Sequence, residues 1–217
     1  MLAWDRIDTV LLDMDGTLLD LHYDHHFWHE HVPLRLAEKS GTTVDAARLA
    51  LTERYRRVEG TLDWYCVDYW SRELELDIAQ LKKEIQHLIA VRPHVVDFLT
   101  ALRRLRKRVL LVTNAHGKAL TLKLGYTGID RHFDDIVCSH DLGMPKEDVR
   151  FWDALQSIEP FDKASTLFVD DSLPVLRAAK AYGVAHLRAV RRPSSKAPAK
   201  DVGEFEGIDD FRDLMPK

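Results

Sequence analysis

Apolar residues gather into four short runs, Thr9–Leu12, Val109–Val112, Asp135–Cys138 and Thr166–Val169. Rich in Val, Ile and Leu and without polar alternation, they predict strands covered on both faces, as in a parallel sheet. Between them the apolar spacing changes to the helical period over Val95–Leu105 after Pro93, Gly117–Leu124 closed by Gly125, Glu147–Gln156, and Pro174–Tyr182 closed by Gly183. A fifth strand is expected at Val184–Leu187. Strand and helix in alternation predict an α/β fold with a doubly wound, Rossmann-like parallel sheet.

One stretch departs from the alternation. From Tyr23 to Ala90 there is no strand pattern, and the segment reads as four helical pieces. Thr42 with Asp45, and Asp77 with Gln80, are N-terminal capping pairs ahead of the helical segments Ala46–Val58 and Ile78–Ile89. The expected organisation is a core formed by residues 1–20 and 92–217, with an α-helical cap, residues 21–91, inserted after the first strand. Leu18–Leu21 and Val91–Pro93 would be its hinges, allowing a lid that opens and closes. The biased stretch Arg191–Lys200 predicts an exposed loop before a C-terminal piece at Phe211–Leu214.

Composition narrows the partners. The 217 residues are 46% hydrophobic and 30% charged, an ordinary globular balance. A formal net charge of -4 gives no general attraction to a nucleic-acid polymer or an anionic membrane surface. The first residues lack a basic region followed by an apolar signal core, and no run approaches the roughly 18 apolar residues of a membrane span. A cytoplasmic protein is expected. Cys66 and Cys138 stand far apart without a metal-type spacing, so neither a disulfide framework nor a structural zinc site is expected.

The chemistry lies where strands end. The first run leads into Asp13-Met14-Asp15-Gly16-Thr17. In extended chain an i,i+2 pair points the same way, and Gly16 permits the turn that follows. One carboxylate can attack while the other moves a proton. Asp170-Asp171 ends the strand Thr166–Val169 in the same manner, at the sheet edge where open α/β folds bind ligands. Converging carboxylates repel unless a cation neutralises them, and an oxygen-rich set of this kind suits magnesium. Thr113-Asn114 offers a hydroxyl and backbone amides near a helix start, suited to phosphate oxygens. Lys146, after the turn-forming Gly143-Met144-Pro145, supplies a cation for a transferring phosphoryl group. Each element alone is commonplace; their order, three of them at the ends of apolar runs, gives the set its meaning.

With Asp13-Met-Asp-Gly-Thr17, Thr113-Asn114, Lys146 and Asp170-Asp171 in sequence, the chain resembles the haloacid dehalogenase superfamily of phosphatases from about Val10 to Val184. The resemblance implies Asp13 as nucleophile and Asp15 as general acid/base. It implies Mg2+ held by the Asp13 side chain, the Asp15 carbonyl and Asp171, with Asp170 sharing that role or standing behind it, and phosphate held by Thr113 and Lys146. Ester cleavage must protonate a leaving alkoxide whereas halide departure need not, so Asp15 favours the phosphatase branch. Trp4, the run Val10–Asp20, Leu62–Cys66, Asp68–Ser71 and Asn114-Ala-His116 are further similar to the bacterial GMP/IMP-type 5′-nucleotidases. That implies a small phosphorylated substrate, a purine nucleoside 5′-monophosphate. Alternatives on the same core are a sugar-phosphate or phosphoglycolate phosphatase and a phosphoglucomutase-like phosphotransferase. A catalytically silent binding protein is the alternative of a different class. Glu147 departs from the superfamily pattern, where many members carry proline after the lysine.

In the cap, Trp64, Tyr65, Tyr69 and Trp70 offer either cap packing, the commoner use, or a stacking surface for a purine. His22, His25, His26, His29 and His31 are numerous but lack a zinc spacing. The basic run Arg103–Arg108 reads as a solvated helix end. His116 either touches substrate or begins the next helix.

Overall fold

The computed structural model describes residues 2–216. Six parallel strands form one sheet: β1 (Thr9–Leu12), β2 (Arg108–Thr113), β3 (Asp135–Cys138), β4 (Thr166–Asp170), β5 (His186–Val190) and β6 (Glu206–Ile208), in the order β3-β2-β1-β4-β5-β6. Thr9 pairs with Arg108 on one side and Thr166 on the other, so the carboxyl ends of β1, β2 and β4 lie level where the strand order reverses. The two-residue period of a strand divides the apolar runs between two faces. Val10, Leu12, Val109, Leu111, Leu167 and Val169 join one core, while Leu11, Leu110, Val112 and Phe168 join the other.

After β1 come the cap helices α1 (His22–His26), α2 (Val32–Ser40), α3 (Val44–Val58), α4 (Leu62–Tyr65), α5 (Val67–Leu74) and α6 (Ile78–Glu84). The core helices follow: α7 (Val95–Arg104), α8 (Gly117–Thr127), α9 (Val149–Ile158) and α10 (Leu173–Tyr182). Helix α7 buries Val95, Phe98, Leu99 and Leu102 on the first sheet face. Helices α9 and α10 cover the second with Phe151, Trp152, Leu155, Val175, Leu176 and Ala179. The first core runs on without a break into the cap through Tyr23, Phe27, Leu51, Trp70 and Ile78. No helix among the described residues is long and apolar enough to cross a membrane.

Several expected boundaries move. The cap holds six α-helices rather than four pieces, because Gly41, Glu75 and the extended Cys66 break longer periodic stretches. A π-helical turn, Phe27–His31, joins α1 to α2 just before Pro33, which has no N–H to donate. Thr43, not Thr42, caps α3 by accepting the Ala46 amide, whereas Asp77 caps α6 through Gln80 as expected. Helix α6 ends at Glu84 and gives way to a 3-10 turn, Gln86–Leu88. Helix α8 passes through Gly125 and stops at Gly128, whose φ of 65° is left-handed. Helix α9 begins two residues late, at Val149, because Asp148 caps it, and β5 lies at His186–Val190 rather than Val184–Leu187. Strand β6 was hidden in the sequence by its brevity.

Both cap connections run side by side. Leu19 and Val91 form an antiparallel bridge, flanked by the Asp20 amide to the Ala90 carbonyl at 2.9 Å and the Arg92 amide to the Leu18 carbonyl at 2.9 Å. Arg92 then donates to the carbonyls of Gly16, at 3.3 Å, and Thr17, at 3.0 Å, tying the exit of the cap to the turn after β1.

Candidate active site

Beyond Leu12 the chain stays extended long enough for the Asp13 amide to reach the Val169 carbonyl at 3.0 Å. Met14 is wholly buried on the opposite side, and Asp13 and Asp15 border one cavity. Gly16 is needed here: its φ is 84°, and a Cβ would lie 2.8 Å from Asp171 Cγ.

Lys146 joins the strand ends. Its Nζ donates to Asp13 Oδ1 at 2.6 Å, Asp170 Oδ2 at 2.7 Å and the Val112 carbonyl at 3.0 Å, so all three protons are engaged. Burial pushes this ammonium toward neutrality, but Asp13 and Asp170 more than reverse the effect and raise its pKa. The loop around it is held by Asn114, whose Oδ1 accepts the Lys146 amide at 2.9 Å and whose Nδ2 donates to Glu147 Oε2 at 2.8 Å. Glu147 also accepts from the cap residue Tyr65 at 2.6 Å. The departure from proline at this position therefore builds a bridge from cap to core. Thr113 is buried beside the cavity, its Oγ1 accepting the Ala115 amide at 3.0 Å.

Asp13, Asp170 and Asp171 each present an oxygen, and the three lie within 4.8 Å of one another. Burial first, then mutual repulsion, pushes each of them up to about 6 against the attraction of Lys146 and Lys200. Lys200 reaches Asp171 Oδ2 at 3.1 Å and also its carbonyl. The stretch Arg191–Lys200 is thus more than the exposed loop its composition predicts: Pro193 accepts the Leu21 amide, and Asp20 accepts the Ser195 amide at 3.0 Å.

Asp15 belongs to a different group, which pattern reading missed. Lys123 of α8 donates to Asp15 Oδ1 and to Asp24 Oδ2 of the cap, both at 2.6 Å, and Lys82 of α6 meets Asp24 Oδ1 at 3.2 Å. Lys82 also sits 4.2 Å from the centre of the Phe27 ring. Burial raises Asp15 to about 6, aided by Asp24 and Asp13 against a single lysine. Burial acts on Asp24 as well, but two lysines overcome it and hold the group at about 2. A signal was present in the sequence: Lys123 follows the buried Ala119, and Lys82 the buried Ile78, by one helical repeat of four.

Cap and core enclose a cavity of about 350 Å³, with Asp13, Asp15, Asp171 and Lys146 on the core side. Trp64, Tyr65 and Trp70 line its cap side, joined by Trp28 and Tyr55; Tyr69 packs edge-on against Trp70 instead. His25, His29 and His116 reach the wall, while His31 pairs with Glu84 at 2.9 Å. Of the run Arg103–Arg108, Arg103 and Arg104 end α7 as expected, whereas Arg106 turns in left-handed backbone and Arg108 opens β2 and pairs with Glu159.

Residues 7–183 match the haloacid dehalogenase-like hydrolase family. The chain belongs to that family. This haloacid dehalogenase-like hydrolase is 40% identical over 215 residues to the GMP/IMP nucleotidase YrfG of Escherichia coli strain K12, covering 99% of the chain and 97% of the relative. It is 27% identical over 213 residues to a phosphoglycolate phosphatase of Pseudomonas fluorescens strain Pf0-1, covering 95% of the chain and 78% of the relative. Its fold is shared with the crystal structure of a HAD phosphatase from Thermococcus onnurineus, with a TM-score of 0.81, 22% identity and 96% of each chain covered. The hydrolase is therefore an enzyme of the phosphatase kind.

Proposed function

We propose that this hydrolase cleaves purine nucleoside 5′-monophosphates, GMP or IMP, to nucleoside and phosphate in the cytoplasm, through a phosphoryl group carried on Asp13. The observation that supports the chemistry is the division of the two neighbouring carboxylates: Asp13 lies against Lys146 and Asp170, and Asp15 against Lys123. Asp13 attacks phosphorus, a bond forms to its carboxylate oxygen, and the bond from phosphorus to the ester oxygen breaks. Asp15, raised to about 6, retains enough proton near neutral pH to protonate that leaving oxygen. It then takes a proton from the water that attacks the phosphoaspartate and releases phosphate. Lys146 and Thr113 hold phosphate oxygens, and Asn114 positions the Lys146 loop rather than spending its side chain on substrate.

The carboxylates of Asp13, Asp170 and Asp171, raised by burial and then by their mutual repulsion, fit a hard divalent cation. Mg2+ would be held there, with the Asp15 carbonyl as a further ligand, and when bound supplies charge neutralisation for the approach of an anionic phosphate. The purine assignment is supported by identity with the nucleotidase that extends through the cap, and by the aromatic wall of Trp64, Tyr65 and Trp70. The phosphoglycolate phosphatase relative keeps a small non-nucleotide phosphate as the second reading.

The test is phosphate release from GMP, IMP, AMP, a pyrimidine monophosphate, phosphoglycolate and sugar phosphates, with and without Mg2+, for wild type and Asp13→Asn. Mg2+-dependent release favouring GMP and IMP, lost in Asp13→Asn, is expected. Preference for phosphoglycolate or a sugar phosphate would overturn the substrate and keep the chemistry; turnover by Asp13→Asn would overturn the chemistry.

A further inference from the structure

Cys66, His116 and His140 meet at the seam between cap and core. Each offers one donor atom, and the three atoms lie within 4.8 Å of one another. Cys66 stands at the start of α5, where its Sγ accepts the Tyr69 amide at 3.3 Å. His116 precedes α8, and His140 follows β3. The two imidazoles meet edge to face, with ring centres 4.9 Å apart and planes at 83°.

His140 singles this group out. Its Nε2 is buried without a hydrogen-bond partner. A buried imidazole nitrogen left without a partner, beside a second imidazole and a thiol, has the arrangement of a metal ligand. Asp68 Oδ2 lies 3.7 Å from His116 Nε2, placed to orient that second ring. His116 Nδ1 accepts the Lys118 amide at 3.3 Å, a contact that a bound metal would replace. A thiolate with two imidazoles is a borderline-soft set, suited to zinc and poorly suited to magnesium.

We propose that Cys66, His116 and His140 form a second metal site, selective for Zn2+, that clamps the helical cap against the core. Bond lengths of about 2.0–2.3 Å in a tetrahedral site place donors roughly 3.3–3.8 Å apart. The three donors, all within 4.8 Å of one another, lie close to that spacing. Cys66 belongs to the cap and both histidines to the core, so an ion shared by all three ties cap to core and restrains its opening. Zinc is not foreshadowed by any short ligand spacing, because Cys66, His116 and His140 come from three distant segments. The site is separate from the carboxylate cluster and stands whatever the substrate is.

Co2+ is the probe, titrated into the full-length protein with saturating Mg2+ present, for wild type, Cys66→Ser and His140→Gln, with circular dichroism confirming that each variant is folded. In wild type a single Co2+ should give intense tetrahedral d–d bands and a thiolate charge-transfer band, both bleached by equimolar Zn2+. Cys66→Ser should lose the charge-transfer band, and His140→Gln should bind Co2+ at least about tenfold more weakly. Hydrogen exchange across Val67–Leu74 should slow on adding Zn2+ to wild type and not to Cys66→Ser. A weak octahedral Co2+ spectrum in wild type, a thiolate band that persists in Cys66→Ser, or unchanged affinity in His140→Gln overturns the site. Unchanged exchange in wild type overturns the clamp.

Discussion

Two buried lysines stand within the same cavity wall and do different work. Lys146 draws its partners from the ends of β1, β2 and β4, all within the core. Lys123 reaches from a core helix to Asp15 and then to Asp24 of the cap. Around Lys146 three carboxylates face two ammonium groups, Lys146 and Lys200, and all three resist ionisation. Around Lys123 two carboxylates face two ammonium groups, and the charge closes on itself. The first group is incomplete without a further cation; the second balances in charge, with Asp24 held at about 2 while Asp15, touched by one lysine, stays raised to about 6. Two clusters of the same residue types are thus told apart by their charge balance, and the proposed acid/base, Asp15, stands in the balanced one.

The sharpest way to break the contrast is Lys146→Met. It leaves Asp13 and Asp170 buried without their shared cation and removes a phosphate contact, so kcat should fall by about 10²–10³ or more, measured by steady-state phosphate release. Lys123→Met should lower stability by about 3–5 kcal/mol in chemical denaturation, since it strands the buried Asp15 and leaves Asp24 to Lys82 alone. It should also move the alkaline limb of the kcat profile upward, because Asp15 loses the one group that holds its pKa down. A limb that stays in place would separate Asp15 from the proton transfer.

Titration sharpens the contrast further. The folded values near 6 for Asp13, Asp170 and Asp171 lie above the ordinary 3.8, so the native state binds more protons than the unfolded state between them. Without metal, stability should therefore fall as pH rises through 6. Mg2+ should restore it, by about 2.7 kcal/mol at a hundredfold excess over Kd, at a pH above 7 and far less near pH 5, read as Tm with and without the ion. Asp24, held at about 2, has the opposite sign: its contribution is present above the ordinary carboxylate value and is lost as pH falls toward 2. The smallest effect is expected of Tyr65→Phe, which removes the hydroxyl bond to Glu147 and keeps the ring. It should cost about 1 kcal/mol of stability and raise KM more than it lowers kcat.

The sequence was most legible where local chemistry and fold coincide. Thr9–Leu12 and Asp135–Cys138 are continuous apolar runs and became strands with those bounds. Asp13, Thr113 and Asp170 follow or end their strands, so strand recognition alone brought them together. Lys123 was legible as a buried position through its helical repeat from Ala119, but its partners lie far away in sequence and were not. Gly125 has the composition of a helix stop, but glycine ends a helix through left-handed backbone, and that occurs at Gly128. In Arg191–Lys200, charge and proline gave the look of a loose loop, whereas Lys200 is recruited by an acidic cluster that only the folded chain assembles.

The antiparallel bridge between Leu19 and Val91 puts the two ends of the cap next to each other, so the whole insertion hangs from a single graft point. A short turn could close that point, or a foreign cap could be spliced there, without disturbing the sheet. The backbone makes the accessory domain portable, yet Lys123 makes the exchange conditional: a transplanted cap that brings no carboxylate in place of Asp24 leaves a buried ammonium with only Asp15 to answer it. Diversification of such caps is then limited less by where the chain enters and leaves than by this one charge.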